Sequence, residues 1–411
     1  MKYNITKLLN SSDECFIKKI TPSSEEIRYL KEVRKIVRSK IKNTFEKISE
    51  SLKQDSNQHW IVDEKILPKC IVDGIRNLPV DQKEALSMLS PKFMSQGSFV
   101  YETMNSPCHT PPQEIDLDDG VYLPIEMLRE GPIVGKNLFF TIIDYALSEL
   151  ASAQNWEFID DKPTCARIVI QQDMHMDIPL YAIPREQYEI VLESASALGM
   201  VFDSVEFSEY ARRRYLETDD IYLALRNKEH WVKSDPMQIS QWFNSAVDTH
   251  GEILRRICRF LKAWRDFTFE TGGPSSITLM ACIVDTFNTS GRIFQDDSEA
   301  LMACTENLYK QLENEVKSPV DEEEPILFPR ANMSETEKTT IITEAKNLQS
   351  LMKNSLLTAS SKKEVITNLL DIFGNRMPNN PDLVLDEAHH AVLSHQAKPQ
   401  PQEEVPNMEA G

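Results

Sequence analysis

The sequence predicts a mixed α and β fold in which a strand-bearing lobe is joined to a helical lobe, with a site between them. Three observations support this. Short apolar runs suited to strands fall between residues 115 and 183, apolar residues keep helical spacing from Ile27 to Leu52, and from about Ile239 the pattern turns strongly helical. A chain of 411 residues can hold two domains or one bilobal unit with an ample core. The expected division is a first lobe over 1–238, a helical lobe over 239–375 and a flexible tail over 376–411.

In chain order, Ser23 followed by Glu26 fits a capping box that starts the first long helix. Ile27, Leu30, Val33, Val37, Ile41, Phe45, Ile48 and Leu52 then keep near-helical spacing for roughly seven turns. A helix that long is expected to brace both lobes and reads as structural. Residues 63–90 look helical, with breaks at Pro79 and Pro91, and lead to a loop at Gly97 and Ser98. A polar, proline-rich excursion follows, then a strand from Ile115 that Val121 to Pro124 extend beyond Gly120. Lys136 to Gln154 reads as a helix, and Ala166 to Gln171 and the segments around Asp177 and Ile178 to Ile183 read as strands. In the helical part, Leu254, Ile257, Cys258, Leu261 and Trp264 form an apolar stripe. Gly272 and Gly273 precede a helix from Ile277 to Phe287, with Ser275 or Ser276 placed as N-cap. Ser318 to Arg330 is an acidic loop, and helices from Ser334 to about Phe373 end at Gly374. Beyond Asn375 the apolar content is too thin for a core.

The chemistry concentrates between Ser95 and Gly120. Gly97 lets the backbone approach a bound group, and exposed N–H groups beside Ser98 suit a phosphate. Asp116 and Asp118, two apart on a strand, share one face, with Asp119 on the other. Two converging carboxylates suit a hard divalent cation and its phosphate ligand. Asp173, His175 and Asp177 follow downstream at period two, and Asp177 can supply a third carboxylate for a two-metal site. Set against this, a polar turn feeding an edge strand would look much the same. Arg167 reads either as a phosphate clamp or as a partner for the acidic strands. His175 reads as a strand histidine, and no zinc site is indicated. Arg255, Arg256, Arg259, Lys262 and Arg265 place five cations in eleven residues, readable as a solvated face or as an anion site. The serines opening the next helix favour the second, since helix N-termini bind anions.

A formal charge of −19 argues against wrapping long nucleic acid, while leaving room for small nucleotides in a locally basic cleft. Seven cysteines without regular spacing read as free thiols of a reducing compartment. No secretory leader or apolar run of spanning length is apparent, so a soluble, cytoplasmic protein is expected.

The pattern Gly97-Ser98, Asp116-x-Asp118 and a distant Asp177 resembles the active site of the polymerase-β-like nucleotidyltransferase superfamily. The segments Gln96 to Tyr101, Glu114 to Gly120, His175 to Pro184, Trp231 to Pro236, Arg259 to Arg265 and Gly272 to Ser276 are similar to the bacterial DncV-type cyclic dinucleotide synthases, across about residues 20–375. The resemblance implies a nucleotidyltransferase core with a mixed, mostly antiparallel sheet and a helical C-terminal lobe. It implies synthesis of a cyclic dinucleotide from ATP and GTP, with 3′,3′-cyclic GMP-AMP the first choice, as a messenger in antiphage (CBASS) defence that activates an effector. Asp116, Asp118 and Asp177 would hold two Mg²⁺ ions. Nucleotide contacts would come from Gln96, Gly97, Ser98, Phe99, Val100, Tyr101, Arg167, Asp235, Lys262, Ser276 and Asp321. Gly411, ending a proline-spaced arm, would be a handle for a ubiquitin-transfer-like conjugating enzyme. A tRNA-tailing or small-molecule-adenylating transferase, or an inactive nucleotide-binding regulator, stays open.

Overall fold

Ser23 begins the longest helix as its sequence requires. Its side chain accepts the Glu26 N–H and the Glu26 carboxylate accepts the Ser23 N–H, closing the capping box. The structure is a computed structural model that describes residues 2–125, 127–128, 131–132, 135–186, 189, 221–233, 236–320 and 326–386. The main elements are α1 (Ser24–Ser51), β1 (Lys92–Gln96), β2 (Ile115–Ile125), α2 (Lys136–Gln154), β3 (Glu157–Ile159), β4 (Ala166–Gln171), β5 (Met174–Ile178), β6 (Leu180–Pro184), β7 (Tyr222–Leu223) and β8 (Val232–Lys233). Helices α3 (Pro236–His250), α4 (Ile253–Thr268), α5 (Ser276–Thr289), α6 (Asp297–Leu312), α7 (Glu335–Lys353) and α8 (Lys362–Phe373) follow.

Strand β2 lies at the centre of an eight-stranded mixed sheet. Antiparallel β1 flanks it on one side. On the other, β5 and β6 run parallel to it in one continuous register across Pro179, pairing Asp177 with Asp118 and Leu180 with Val121. Strands β4, β3, β7 and β8 add antiparallel pairings outward. The period of two then sorts the side chains. Ile115, Leu117, Val121 and Leu123 of β2, Met174, Met176 and Ile178 of β5, and Ala166, Ile168 and Ile170 of β4 enter one core with α1 and α2. Asp116, Asp118, His175, Asp177 and Arg167 are thereby left on the opposite face.

Helix α1 departs from the expectation that it braces both lobes. Its buried stripe, Leu30, Val33, Val37, Ile41, Phe45 and Ile48, lies wholly in the first core. A second core joins α3 to α8 with Tyr3, Ile5, Leu8, Leu9, Phe16 and Ile20. Tyr3 to Ile20 therefore pack on the helical lobe, unlike the expected grouping of 1–238. Phe16 sits 5.7 Å from Phe260 and 4.8 Å from Phe373, ring centre to ring centre. Met377 and Val384 are buried in the same core, and Leu385–Asp386 pairs with Tyr3–Asn4, so ordered chain runs past residue 375. No helix among the described residues is long and apolar enough to cross a membrane.

Candidate active site

Gly97 follows β1 with φ +65°, a conformation that favours glycine. A Cβ there would stand 2.1 Å from Oδ2 of Asp118, so the loop backbone lies directly against that carboxylate. Asp119 points to the far side of β2 and is buried. There Arg38 of α1 forms a two-point ion pair with it at 2.7 and 2.6 Å, and Ser95 donates to it at 2.8 Å. Helix α1, with no apparent functional content in sequence, thus fixes the back of the carboxylate strand.

On the site face, each outer carboxylate has a cationic or ring partner. Arg167, level with Asp177 on the neighbouring strand, pairs with it through Nε and Nη2 at 2.6 and 2.7 Å. Of the two readings of Arg167, the structure gives the partner for an acidic strand. Both of its contacting nitrogens are taken, and it is not among the residues lining the cavity described below. His175 is wedged between Glu114, 2.6 Å from Nδ1, and Asp116, 2.8 Å from Nε2. Burial opposes charge on this ring, but the adjoining Asp116 carboxylate outweighs it, and the histidine is held above its usual range. Among the described residues Asp118 has no such hydrogen-bonded partner; burial first, then repulsion from Asp116 and Asp177, pushes its carboxyl up to about 8. The oxygens and nitrogen of Asp116, Asp177 and His175 lie within 4.8 Å of one another, at a spacing suited to a metal ion.

A cavity of about 430 Å³ opens between the lobes. Gly97, Ser98, Tyr101, Glu114, Asp116, Asp118 and His175 line one side; Lys262, Arg265 and Ser276 line the other. Lys262 is buried and donates to the Thr103 carbonyl at 2.7 Å; burial first, then Arg265, lowers its ammonium to about 8. Arg265 donates to the Ser276 hydroxyl at 3.0 Å and is held by Asp266. Ser275, not Ser276, caps α5, which leaves Ser276 on the first turn facing the cavity.

Gln96 turns away from the cavity. Its amide bonds the Tyr122 and Tyr181 hydroxyls, whose rings stack at 4.8 Å. Phe99 packs into the first core beneath the Arg34 guanidinium, and neither it nor Val100 lines the cavity. The expected nucleotide contacts through the Gln96, Phe99 and Val100 side chains are therefore not formed by this geometry. Tyr101 does line the cavity and meets Phe243 edge-on at 5.9 Å. Asp235, Asp321 and Gly411 lie outside the described residues. The cationic run on α4 is not a solvated face. Arg256 pairs with buried Asp297 at 2.7 Å, Arg259 bonds Asn105 and Thr21, and Arg255 reaches the Tyr101 carbonyl. Glu114 and His175 reach the cavity through their alternation with Asp116 and Asp177, a signal too weak to single them out in sequence, and Arg265 reaches it from the cationic run of α4.

Residues 91–181 match the family described as "Cyclic GMP-AMP synthase DncV-like, nucleotidyltransferase domain", and residues 251–386 match "Cyclic GMP-AMP synthase, C-terminal domain". A cyclic GMP-AMP synthase of Vibrio cholerae serotype O1 is 31% identical over 413 residues, covering 94% of each chain. One from Escherichia coli is 31% identical over 403 residues, covering 92% of each. Among solved structures, a mutant of the V. cholerae di-nucleotide cyclase DncV in complex with ATP, GTP and 5MTHFGLU2 superposes with a TM-score of 0.81 at 28% identity, over 94% of this chain and 99% of that one. DncV in complex with the linear intermediate 5′ pppA(3′,5′)pG gives 0.80 at 29% identity over the same shares.

Proposed function

This chain belongs to the DncV-like cyclic GMP-AMP synthase family of nucleotidyltransferases, and from that premise we propose that it joins ATP and GTP into 3′,3′-cyclic GMP-AMP. The observation that carries the reading is the interlobe cavity. It has Gly97, Ser98, Asp116 and Asp118 on one wall and Lys262 and Ser276 on the other. The relatives' structures with ATP, GTP and a linear pppApG intermediate support the choice of substrates.

The donor set fits a hard divalent cation. Asp116, Asp118 and Asp177 offer oxygen, and burial followed by repulsion from Asp116 and Asp177 pushes the Asp118 carboxyl up to about 8, a charge crowding that a bound cation would relieve. Two magnesium ions, held by Asp116 and Asp118 with Asp177 sharing one, would acidify the attacking ribose hydroxyl and neutralise the leaving pyrophosphate. Gly97 brings its backbone against Asp118, so a triphosphate held by the Gly97 and Ser98 N–H groups would lie beside the cations that this carboxylate would hold. Lys262 and Ser276 hold the phosphates of the other nucleotide, and Tyr101 offers a ring wedged in place for a base. Arg167 and His175 keep Asp177 and Asp116 aimed.

The product serves, on this reading, as a messenger to an effector in antiphage defence, as the family resemblance implies. Omitting ATP or GTP in turn, and digesting the product with a nuclease specific for 3′,5′ linkages, tests the assignment. Loss of product on either omission and complete digestion support it; product from one nucleotide alone, or a resistant linkage, refutes it.

A further inference from the structure

The excursion between the Gly-Ser loop and the carboxylate strand ends in Gln113, whose side-chain amide is used to capacity. Oε1 accepts the N–H groups of Cys108 at 2.9 Å and His109 at 3.2 Å. Nε2 donates across the cleft to the carbonyls of Asp266 at 2.7 Å and Phe269 at 2.9 Å. Those carbonyls belong to the C-terminal end of α4, where no further turn remains to bond them. Gln113 is therefore a C-cap for a helix of the opposite lobe, with its donors facing the negative end of the helix dipole.

What lies on either side of this bond gives it consequence. Three residues on from Gln113 comes Asp116. On the helix side, Asp266 holds Arg265, which holds Ser276. Neighbouring bonds tie the same excursion to the same helix: Asn105 and Arg259 exchange bonds at 2.8 and 3.1 Å, and Lys262 reaches Thr103. This segment thus ties the carboxylate wall to the Lys262–Ser276 wall, and Gln113 is its link nearest the carboxylates in sequence.

We propose that Gln113 is a positioning residue that sets the gap between these walls for ring closure, an inference that rests on the cyclic dinucleotide reading above. In the first bond-forming step two separate nucleotides enter, and each adjusts to its own wall. In the second, the two are already one molecule, and its remaining triphosphate and hydroxyl must meet at the same carboxylates. A loosened gap therefore penalises closure more than first-bond formation, since misplacement by about 1 Å costs up to about 10²-fold in rate.

The test measures linear and cyclic dinucleotide by chromatography and mass spectrometry, with the full chain, ATP, GTP and Mg²⁺. Gln113→Met keeps the volume and removes every bond; Gln113→Glu keeps the acceptor but sets a carboxylate against the helix carbonyls. Both are expected to raise the linear-to-cyclic ratio about tenfold, with Gln113→Glu the more severe. If Gln113→Glu does not fold, Gln113→Met alone decides. An unchanged ratio overturns the proposal even if total turnover falls, because a merely structural role slows both steps together. Wild-type protein that forms no dinucleotide at all would overturn the function reading, and this inference with it.

Discussion

Replacing Gly97 by alanine separates two effects that one glycine serves. The backbone there has φ +65°, and an L-residue in that region costs about 1–2 kcal/mol. The added Cβ would also stand 2.1 Å from Asp118 Oδ2, where real Cβ contacts essentially never fall below 3.0 Å. The carboxylate must retreat by about 1 Å, and a displacement of that size at a reacting centre costs about 10²-fold in rate. Gly291 supplies the control. Its φ is also +65°, but nothing lies within 4 Å of the Cβ position. Gly291→Ala should lose the same about 1–2 kcal/mol in urea denaturation while keeping the kcat for dinucleotide formation. Gly97→Ala should lose similar stability and about 10²-fold in kcat. A Gly97→Ala enzyme within threefold of wild type, about 0.6 kcal/mol, would refute the close approach of loop and carboxylate.

Other variants probe the supports around the site. Arg38→Ala strands buried Asp119 without its ion-pair partner and should cost about 3–5 kcal/mol in urea denaturation; a loss below about 1 kcal/mol would mean that the pair is not shielded from water. Lys262→Ala should raise the KM of one nucleotide more than the other, by about 1.5–3 kcal/mol; equal KM values would remove it from the phosphates. Because burial lowers the Lys262 ammonium to about 8, it discharges as pH rises through that value. The same KM should therefore climb above pH 8 in wild type and stay level in Lys262→Ala. His175→Ala leaves Glu114 and Asp116 facing each other without the ring between them, and should weaken Mn²⁺ binding by about 10- to 100-fold in a titration followed by electron paramagnetic resonance.

Local chemistry was readable in the sequence. The Ser23–Glu26 box, the α2 bounds at Lys136 and Gln154, the β4 bounds at Ala166 and Gln171, and the shared face of Asp116 and Asp118 all follow from capping and periodicity within a few residues. What escaped depends on register between distant elements. Arg38 meets Asp119 across 81 residues, and Arg259 meets Asn105 across 154. Period two placed Arg167 and Asp177 each on its strand, but only the strand pairing sets them level and turns a candidate phosphate clamp into the partner of a carboxylate. Gln96 sits beside the glycine loop in sequence, yet extended backbone sends its side chain to two tyrosines. Tyr3 to Ile20 carried apolar side chains without a period, so nothing local assigned them to the helical lobe.

The central claim is that Asp116 and Asp118 in the cavity wall, with Asp177 level with Asp118 on the neighbouring strand, drive cyclic dinucleotide formation. Its most direct measurement incubates the full chain with the four labelled triphosphates and Mg²⁺, removes unreacted nucleotide with phosphatase, and identifies products by mass spectrometry beside an Asp116→Asn, Asp118→Asn double variant. The account predicts phosphatase-resistant cyclic GMP-AMP from wild type and none from the folded double variant. Product of undiminished yield from the double variant, or a wild type that yields no cyclic product, would contradict it.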